Sequence, residues 1–236
     1  MPWPKDGREQ ALHEHIMSLP REGLQGNSQA VIKAIDDYSN SNAKMMTFKP
    51  SKIAASRAAM EEMSPPPKVL VEMGTYVGNS AVAWGSILKD LNSGKTDGVK
   101  VYCLEFNPEY IKIASDVIAL AGVDDVVQIV PGAASDSLRK LKAEGKLDKI
   151  DVLFLDHFQQ YYLPDLQVCE ELGLFHEGSI ILADNMDAPD PPEYVKYVRA
   201  GGRGGATSVK YDSKMVRTRP DPERPSGVEI SKVIKV

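Results

Sequence analysis

Cysteine is scarce in this chain of 236 residues. Cys103 and Cys169 stand far apart in apolar segments, too few for a disulfide framework or a cysteine-based zinc site. A reduced, cytoplasmic setting is therefore expected. No apolar run opens the chain: "MPWPKDGREQALHEHIM" reads as neither a signal peptide nor a membrane anchor, and no membrane partner is expected. Concentrated positive charge is also missing. The net charge is −5, and Lys and Arg are spread out instead of forming the basic stripe that a nucleic-acid partner requires. Internal repeats and long low-complexity linkers are absent. So are the P-loop, G-x-S-x-G and H-E-x-x-H patterns, and the G-x-G-x-x-G that an NAD(P)-linked oxidoreductase would carry.

What is present is an ordinary soluble composition, 42% hydrophobic and 26% charged. The length suits one large domain whose core can keep water from a small-molecule site. Residues 1–65 read as helical, with apolar spacings of three and four over 6–19, 28–39 and 49–63. Ser28 and Ser51 are the expected N-terminal caps. "SPPPK" at 64–68 then ends the helical region, because proline disfavours helix in the residue before it.

Beyond it the pattern alternates. Strand-like "KVLVEM", "VKVYCLEF", "VVQIV", "IDVLFLD" and "GSIILAD" are followed in turn by helical stretches over 79–91, 108–121, 135–144, 163–172 and 192–199. Strands this apolar are buried on both faces, which requires a parallel sheet covered by helices. "ATSVKYD" and "GVEISKVIKV" have no helix between them and should pair antiparallel at one edge. The expected fold is α/β and Rossmann-like: a mostly parallel sheet with helices on both faces and an N-terminal helical layer. It is expected to form a single domain over 1–236, with residues 1–65 as a lid on a core of 66–236.

In such a sheet, ligands bind beyond the carboxyl ends of the strands. The first strand ends in "EMGTYVGNSA", where Glu72, Gly74, Gly78 and Ser80 sit in a turn that leads to a helix N-terminus. Such an end favours an anionic group such as a carboxylate, although tight-turn geometry explains the glycines equally well. Glu105 ends the second strand, where nucleotide-binding sheets hold a ribose diol; a solvated carboxylate or a cap for the helix at Pro108 is the alternative. A ribose acid beside a turn unsuited to pyrophosphate suggests a nucleoside without phosphate, S-adenosylmethionine above all. Asp156, Asp184 and Asn185 end the fourth and fifth strands, and two carboxylates with an amide oxygen are hard ligands suited to Mg²⁺. His13, His15 and His176 read as surface residues, and "AGGRGGA" at 200–206 as a flexible connector.

The blocks "VLVEMGTYVGNSAV", "LEFNPEY", "LAGVDDVV", "FLDHFQQYYLPDL", "LADN" and "SGVEISKV" together resemble the catechol O-methyltransferases, from about Gly26 to the C-terminus. The chain looks like a soluble, fungal- or bacterial-like member with an altered acceptor site. The resemblance implies a seven-stranded sheet, S-adenosylmethionine and Mg²⁺ as cofactors, and methylation of one hydroxyl of a catechol. It implies that Glu72, Gly74, Tyr76 and Ser80 line the methionine end of the cofactor, that Glu105 takes the ribose, and that Ser135 and His157 flank the adenine. Phe48 and Asp156 join that cofactor set, and Asp156, Asp184 and Asn185 match the metal ligands. Met46, Phe158, Asn185, Pro189 and Arg217 fall on the acceptor side, with Lys52 nearby. The expected partner is a phenolic or catechol-like small molecule, and the expected state a monomer or weak homodimer.

Three positions depart from the family. Gln159 stands where it has the lysine assigned as general base, Lys44 where a tryptophan guards the mouth, and Arg217 where an acid holds the second hydroxyl. An amide takes up no proton at useful pH, which leaves Lys52 as a substitute base. A general base contributes about 10²–10⁴-fold, whereas positioning contributes roughly 7–11 kcal/mol, so this loss weakens the enzyme without abolishing it. On this view Asp156 needs no charged side chain beside it, because its partner is Mg²⁺. The second reading is a non-catalytic paralogue that binds S-adenosylmethionine or a protein partner; metal-dependent turnover separates the two.

Overall fold

The computed structural model describes residues 6–187, 190, 192–202, 209–218 and 226–236. Three helices come first: α1 (Arg8–Ser18), α2 (Ser28–Ser41) and α3 (Pro50–Glu61). Strands and helices then alternate as β1 (Val69–Met73), α4 (Asn79–Leu91), β2 (Lys100–Glu105), α5 (Pro108–Ala121), β3 (Val127–Pro131) and α6 (Ala134–Ala143). They continue with β4 (Val152–Leu155), a 3₁₀ turn at Gln159–Tyr161, α7 (Tyr162–Glu171), β5 (Ile180–Asp184), α8 (Glu193–Arg199), β6 (Lys210–Arg217) and β7 (Gly227–Lys235).

The sheet has seven strands in the order β3-β2-β1-β4-β5-β7-β6. Only β7 runs antiparallel, pairing with β5 on one side and β6 on the other. Side chains alternate across the strands, as the period of two demands. Leu70, Val101, Cys103, Phe154, Leu182 and Ile230 pack on one face with α1, α2, α4 and α5. Val71, Met73, Leu104, Leu153, Leu155 and Ile181 pack on the other with α6, α7 and α8. The Rossmann-like sheet, its helices on both faces and its N-terminal helical layer are those expected.

Element ends show where local chemistry decides. α4 and α5 begin and end where expected: Gly78 precedes α4 in a left-handed conformation, and the Asn107 side chain caps the end of α5 that Pro108 opens. Two caps are corrected. Asn27, not Ser28, caps α2 by accepting from the Ala30 N–H, while the Ser28 hydroxyl donates to Ala121 O of α5. Ser51 lies inside α3, whose first residue is Pro50 and which has no side-chain cap. β6 runs on to Arg217, past Asp212; the start of "ATSVKYD" lies outside the described residues. His13 and His176 are not idle surface groups either: their Nε2 atoms lie 2.8 Å from Asp116 and Asp151, respectively. Among the described residues no helix is long and apolar enough to cross a membrane.

The chain runs outward from β1 through β2 to β3, then returns to β4 on the other side of β1. The switch point is therefore between β1 and β4, at Met73 and Leu155. There the two backbones nearly touch: a Cβ on Gly74 would sit 2.7 Å from the Asp156 carbonyl oxygen. Only glycine fits, and its φ of +92° also favours glycine.

Candidate active site

The turn after β1 is organised by Glu105. Its Oε2 accepts from the backbone N–H groups of Thr75 at 3.1 Å and Tyr76 at 3.0 Å, and its Oε1 from that of Asn107 at 2.9 Å. Tyr76 is held at a positive φ of 53°, an uncommon conformation for a bulky residue and one that clusters at functional sites. Its hydroxyl donates to Glu9 of α1 at 2.6 Å, so the N-terminal layer braces the turn.

Behind the turn Glu72 is fully buried. Trp84 Nε1 donates to its Oε1 at 3.1 Å, and Oε2 has no hydrogen-bond partner. Burial pushes this carboxyl up to about 7, partly offset by Ser80, Cys103 and Trp84. Thr75 Oγ1 and Asn79 Oδ1 are likewise buried and unpartnered, although Asn79 Nδ2 donates to Phe48 O at 3.0 Å. Buried polar atoms are nearly always satisfied in native proteins. Several orphans around one turn fit a polar ligand that supplies both donors and acceptors.

The opposite wall carries the ends of β4 and β5. Asp184 is buried, and Asp156 and Asp184 are close enough for their charges to act on each other. Burial raises both carboxyls above the usual range, with the Asp184 charge adding to the rise at Asp156 and Lys52 opposing it at both. Asn185 adopts a positive φ of 58°, which asparagine tolerates better than most residues. Among the described residues no group of three or more His, Cys, Asp or Glu could hold a metal. The donor set here is two acids and an amide oxygen, and all three are the hard oxygens that Mg²⁺ prefers. These residues fit the ion.

A cation of the chain itself serves this wall, and its charge bears on Asp156 as well as on Asp184. Lys52, from α3, donates through Nζ to Asp184 Oδ1 at 2.7 Å and to Asn185 Oδ1 at 2.9 Å. Gln159 Nε2 donates to the backbone oxygen of Asn185 at 3.3 Å. His157 Nε2 lies 2.8 Å from Asp165, its Nδ1 is buried and unpartnered, and its ring stacks on Tyr162 at 5.1 Å.

Between the walls is a cleft of about 570 Å³. Met46, Phe48, Lys52, Gly74, Tyr76, Ser80, Asp156, His157, Asp184 and Asn185, all expected at the site, line it together. Glu72 and Glu105 stand behind the turn. Ser135 is half-buried in the first turn of α6, Phe158 and Arg217 are exposed, and none of these three lines the cleft. Pro189 lies outside the described residues. Sequence reasoning missed Thr47, Lys49, Thr75, Val77, Asn79 and Ser226 in the lining, and Asp165 as the partner of His157. Asn79 was within reach of such reasoning, since it opens α4 directly after the glycine turn.

A methyltransferase domain family model matches residues 71–186. Over 196 residues the chain is 35% identical to catechol O-methyltransferase of Bos taurus, covering 83% of this chain and 68% of that protein. Over 198 residues it is 32% identical to a probable O-methyltransferase of Mycobacterium tuberculosis, covering 82% and 79% of the two. Among solved structures, an O-methyltransferase from Bacillus cereus in complex with SAH aligns with a TM-score of 0.60 at 20% identity over 97% of each chain. An O-methyltransferase of tomaymycin synthesis from Streptomyces achromogenes, in complex with SAM, gives 0.63 at 18% identity over 99% of this chain and 100% of that one. These two likenesses concern the fold.

Proposed function

The chain belongs to the catechol O-methyltransferase family, and from that premise we propose that it moves the methyl group of S-adenosylmethionine to one hydroxyl of a catechol-like or related phenolic small molecule, with Mg²⁺ orienting the acceptor. It is an S-adenosylmethionine-dependent O-methyltransferase; the acceptor and the metal are the further steps proposed here. One observation carries the reading: a single cleft has orphaned polar atoms on its β1–α4 wall and, on the other, a buried and a half-buried acid with an amide oxygen.

On this proposal Glu72, Gly74, Tyr76 and Ser80 surround the methionine end of the cofactor, and the Glu72 carboxylate gains an ammonium partner. Glu105 contacts the ribose with the same carboxylate that shapes the turn, and Ser135 and His157 flank the adenine. Asp165 bears on His157 Nε2 and leaves the buried Nδ1 without a partner. Phe48 sits at the floor, stacked edge-on with Phe154 at 4.7 Å, and keeps water from the transfer path.

Asp156, Asp184 and Asn185 would hold the metal, and Mg²⁺ bound there supplies Lewis acidity that favours ionisation of a nearby hydroxyl. Met46, Phe158 and Arg217 border the acceptor, with Pro189 assigned to the same side. Gln159 positions this rim through Asn185 and accepts no proton. Lys52 is the amine within reach, and we assign it any proton transfer that the protein itself performs. A methyl-transfer screen over catechols and other phenols, with and without Mg²⁺, tests the proposal. Metal-dependent O-methylation of a vicinal diol is expected; failure with every diol, while the cofactor still binds, would move the acceptor to another class.

A further inference from the structure

Lys52 occupies the donors that a divalent cation would need. It lies in the first turn of α3, is only 7% exposed, and reaches across the chain to the ends of β5. Its Nζ takes Asp184 Oδ1 at 2.7 Å and Asn185 Oδ1 at 2.9 Å, and its charge also bears on Asp156. One ammonium thus engages two of the three oxygens proposed for the metal and acts on the third. The geometry is built: Nζ also lies 5.8 Å from the centroid of the Phe48 ring, which keeps it over the cleft floor.

Two carboxylates, Asp184 buried and Asp156 half-buried, need positive charge, because an unpaired buried charge is strongly destabilising. Lys52 supplies one unit, and a divalent cation would supply two. The two cannot share the same oxygens: like charges a few ångströms apart in a weakly screened interior repel strongly, and Asp184 Oδ1 and Asn185 Oδ1 are already committed to the ammonium. Resting on the metal site proposed above, we infer that Lys52 is an internal competitor of the divalent cation. It neutralises the acids in the metal-free protein and leaves Asp184 and Asn185 when metal enters. Lys52 is then a positioning residue that sets metal affinity through the ligands themselves. A purely structural ion pair would leave that affinity unchanged, and a residue that helps hold the metal would strengthen it.

The test is a calorimetric titration of Mg²⁺ into the full chain without cofactor, for the wild type, Lys52→Met and Lys52→Arg. Lys52→Met should bind Mg²⁺ roughly ten-fold or more tightly, because two charge-assisted hydrogen bonds no longer have to be broken. It should melt lower than wild type without metal and recover when Mg²⁺ is added. Lys52→Arg keeps the charge and should stay near the wild type. Equal or weaker Mg²⁺ binding by Lys52→Met, with the wild type binding normally, overturns the competitor role and leaves the metal site standing. Absence of Mg²⁺ binding in both forms removes the metal site, and the competitor role falls with it. Should Lys52→Met not fold, amine labelling of the wild type read by mass spectrometry decides: Lys52 should label faster at saturating Mg²⁺ than without it, relative to Lys49. Unchanged labelling at saturation overturns the inference.

Discussion

The two walls of the cleft are built differently. The β1–α4 wall is a regular strand, turn and helix, with its acids buried behind it and Glu105 bonded to three backbone N–H groups. The opposite wall joins strand ends to segments far apart in the chain, with Lys52 on α3 reaching Asp184, while Phe158 and Arg217 stand exposed outside the cleft lining. The first wall has fixed geometry and unsatisfied atoms, which suits an invariant ligand. The second has two acids and an amide oxygen at its base and exposed side chains beyond it, which suits the acceptor side proposed above. Of the three departures expected from the resemblance, Gln159 bonds to the Asn185 backbone on the second wall, Arg217 stands exposed outside the cleft lining, and Lys44 gives its carbonyl to Arg8 of α1. On the proposed function, cofactor binding and acceptor handling therefore fall to different walls.

The largest effect that can break this separation is at Asp184. Asp184→Ala should lower methyl transfer by roughly a thousand-fold or more, since a metal site contributes several kcal/mol to the transition state. Cofactor affinity measured by calorimetry should barely change. A matching loss of cofactor binding would show that the walls are not independent.

Gln159→Lys sharpens the comparison from the acceptor side. It should raise turnover on ordinary catechols by at most the roughly 10²–10⁴-fold expected of a general base, and by less if the changed rim also limits the rate. In the wild type, rates should rise with acceptor acidity and with pH until the hydroxyl has ionised. No acidity dependence and no gain in the variant would leave the proton to Lys52 or point to another acceptor class.

On the cofactor wall, Glu105→Ala should weaken S-adenosylmethionine binding by about one to two orders of magnitude through lost charge-assisted hydrogen bonds. Wild-type affinity in that variant would remove Glu105 from the site.

The smallest effect is a proton count. Because burial holds the Glu72 carboxyl up to about 7, it is about half protonated in the free protein at pH 7. An ammonium placed beside it ionises it, so cofactor binding at that pH should release up to about half a proton, seen as a dependence of binding heat on the buffer. Glu72→Gln should release none. The raised folded-state value also fixes a sign. Stability supported by the protonated form is full below the ordinary carboxylate range and is lost as pH rises through about 7. Glu72→Gln should flatten that fall in the melting curve.

The regular wall was also the legible one. β1, α4 and α5 follow from apolar runs bounded by Gly78, Asn107 and Pro108, signals carried by neighbouring residues. Gly74 shows the limit of such signals. It reads as a turn residue, yet the structure requires glycine there partly because the Asp156 backbone lies against it. The contact between Lys52 and Asp184 joins residues 132 positions apart and leaves no trace in any local pattern. The same is true of the bond from Tyr76 to Glu9. β6 was placed short because "SKMVR" alternates polar and apolar residues on an edge strand, where exposure weakens the apolar signal. The cap of α2 was misassigned because Asn27 and Ser28 are both good caps, and only the pull of Ala121 on the Ser28 hydroxyl separates them.

The separation of the walls is tested most directly by one protein sample, measured twice. Calorimetry with S-adenosylmethionine and a methyl-transfer assay on a catechol series are run with Mg²⁺ and again in excess chelator. The account predicts that chelation abolishes transfer and leaves cofactor affinity within a few-fold. Transfer that continues undiminished in chelator would contradict it.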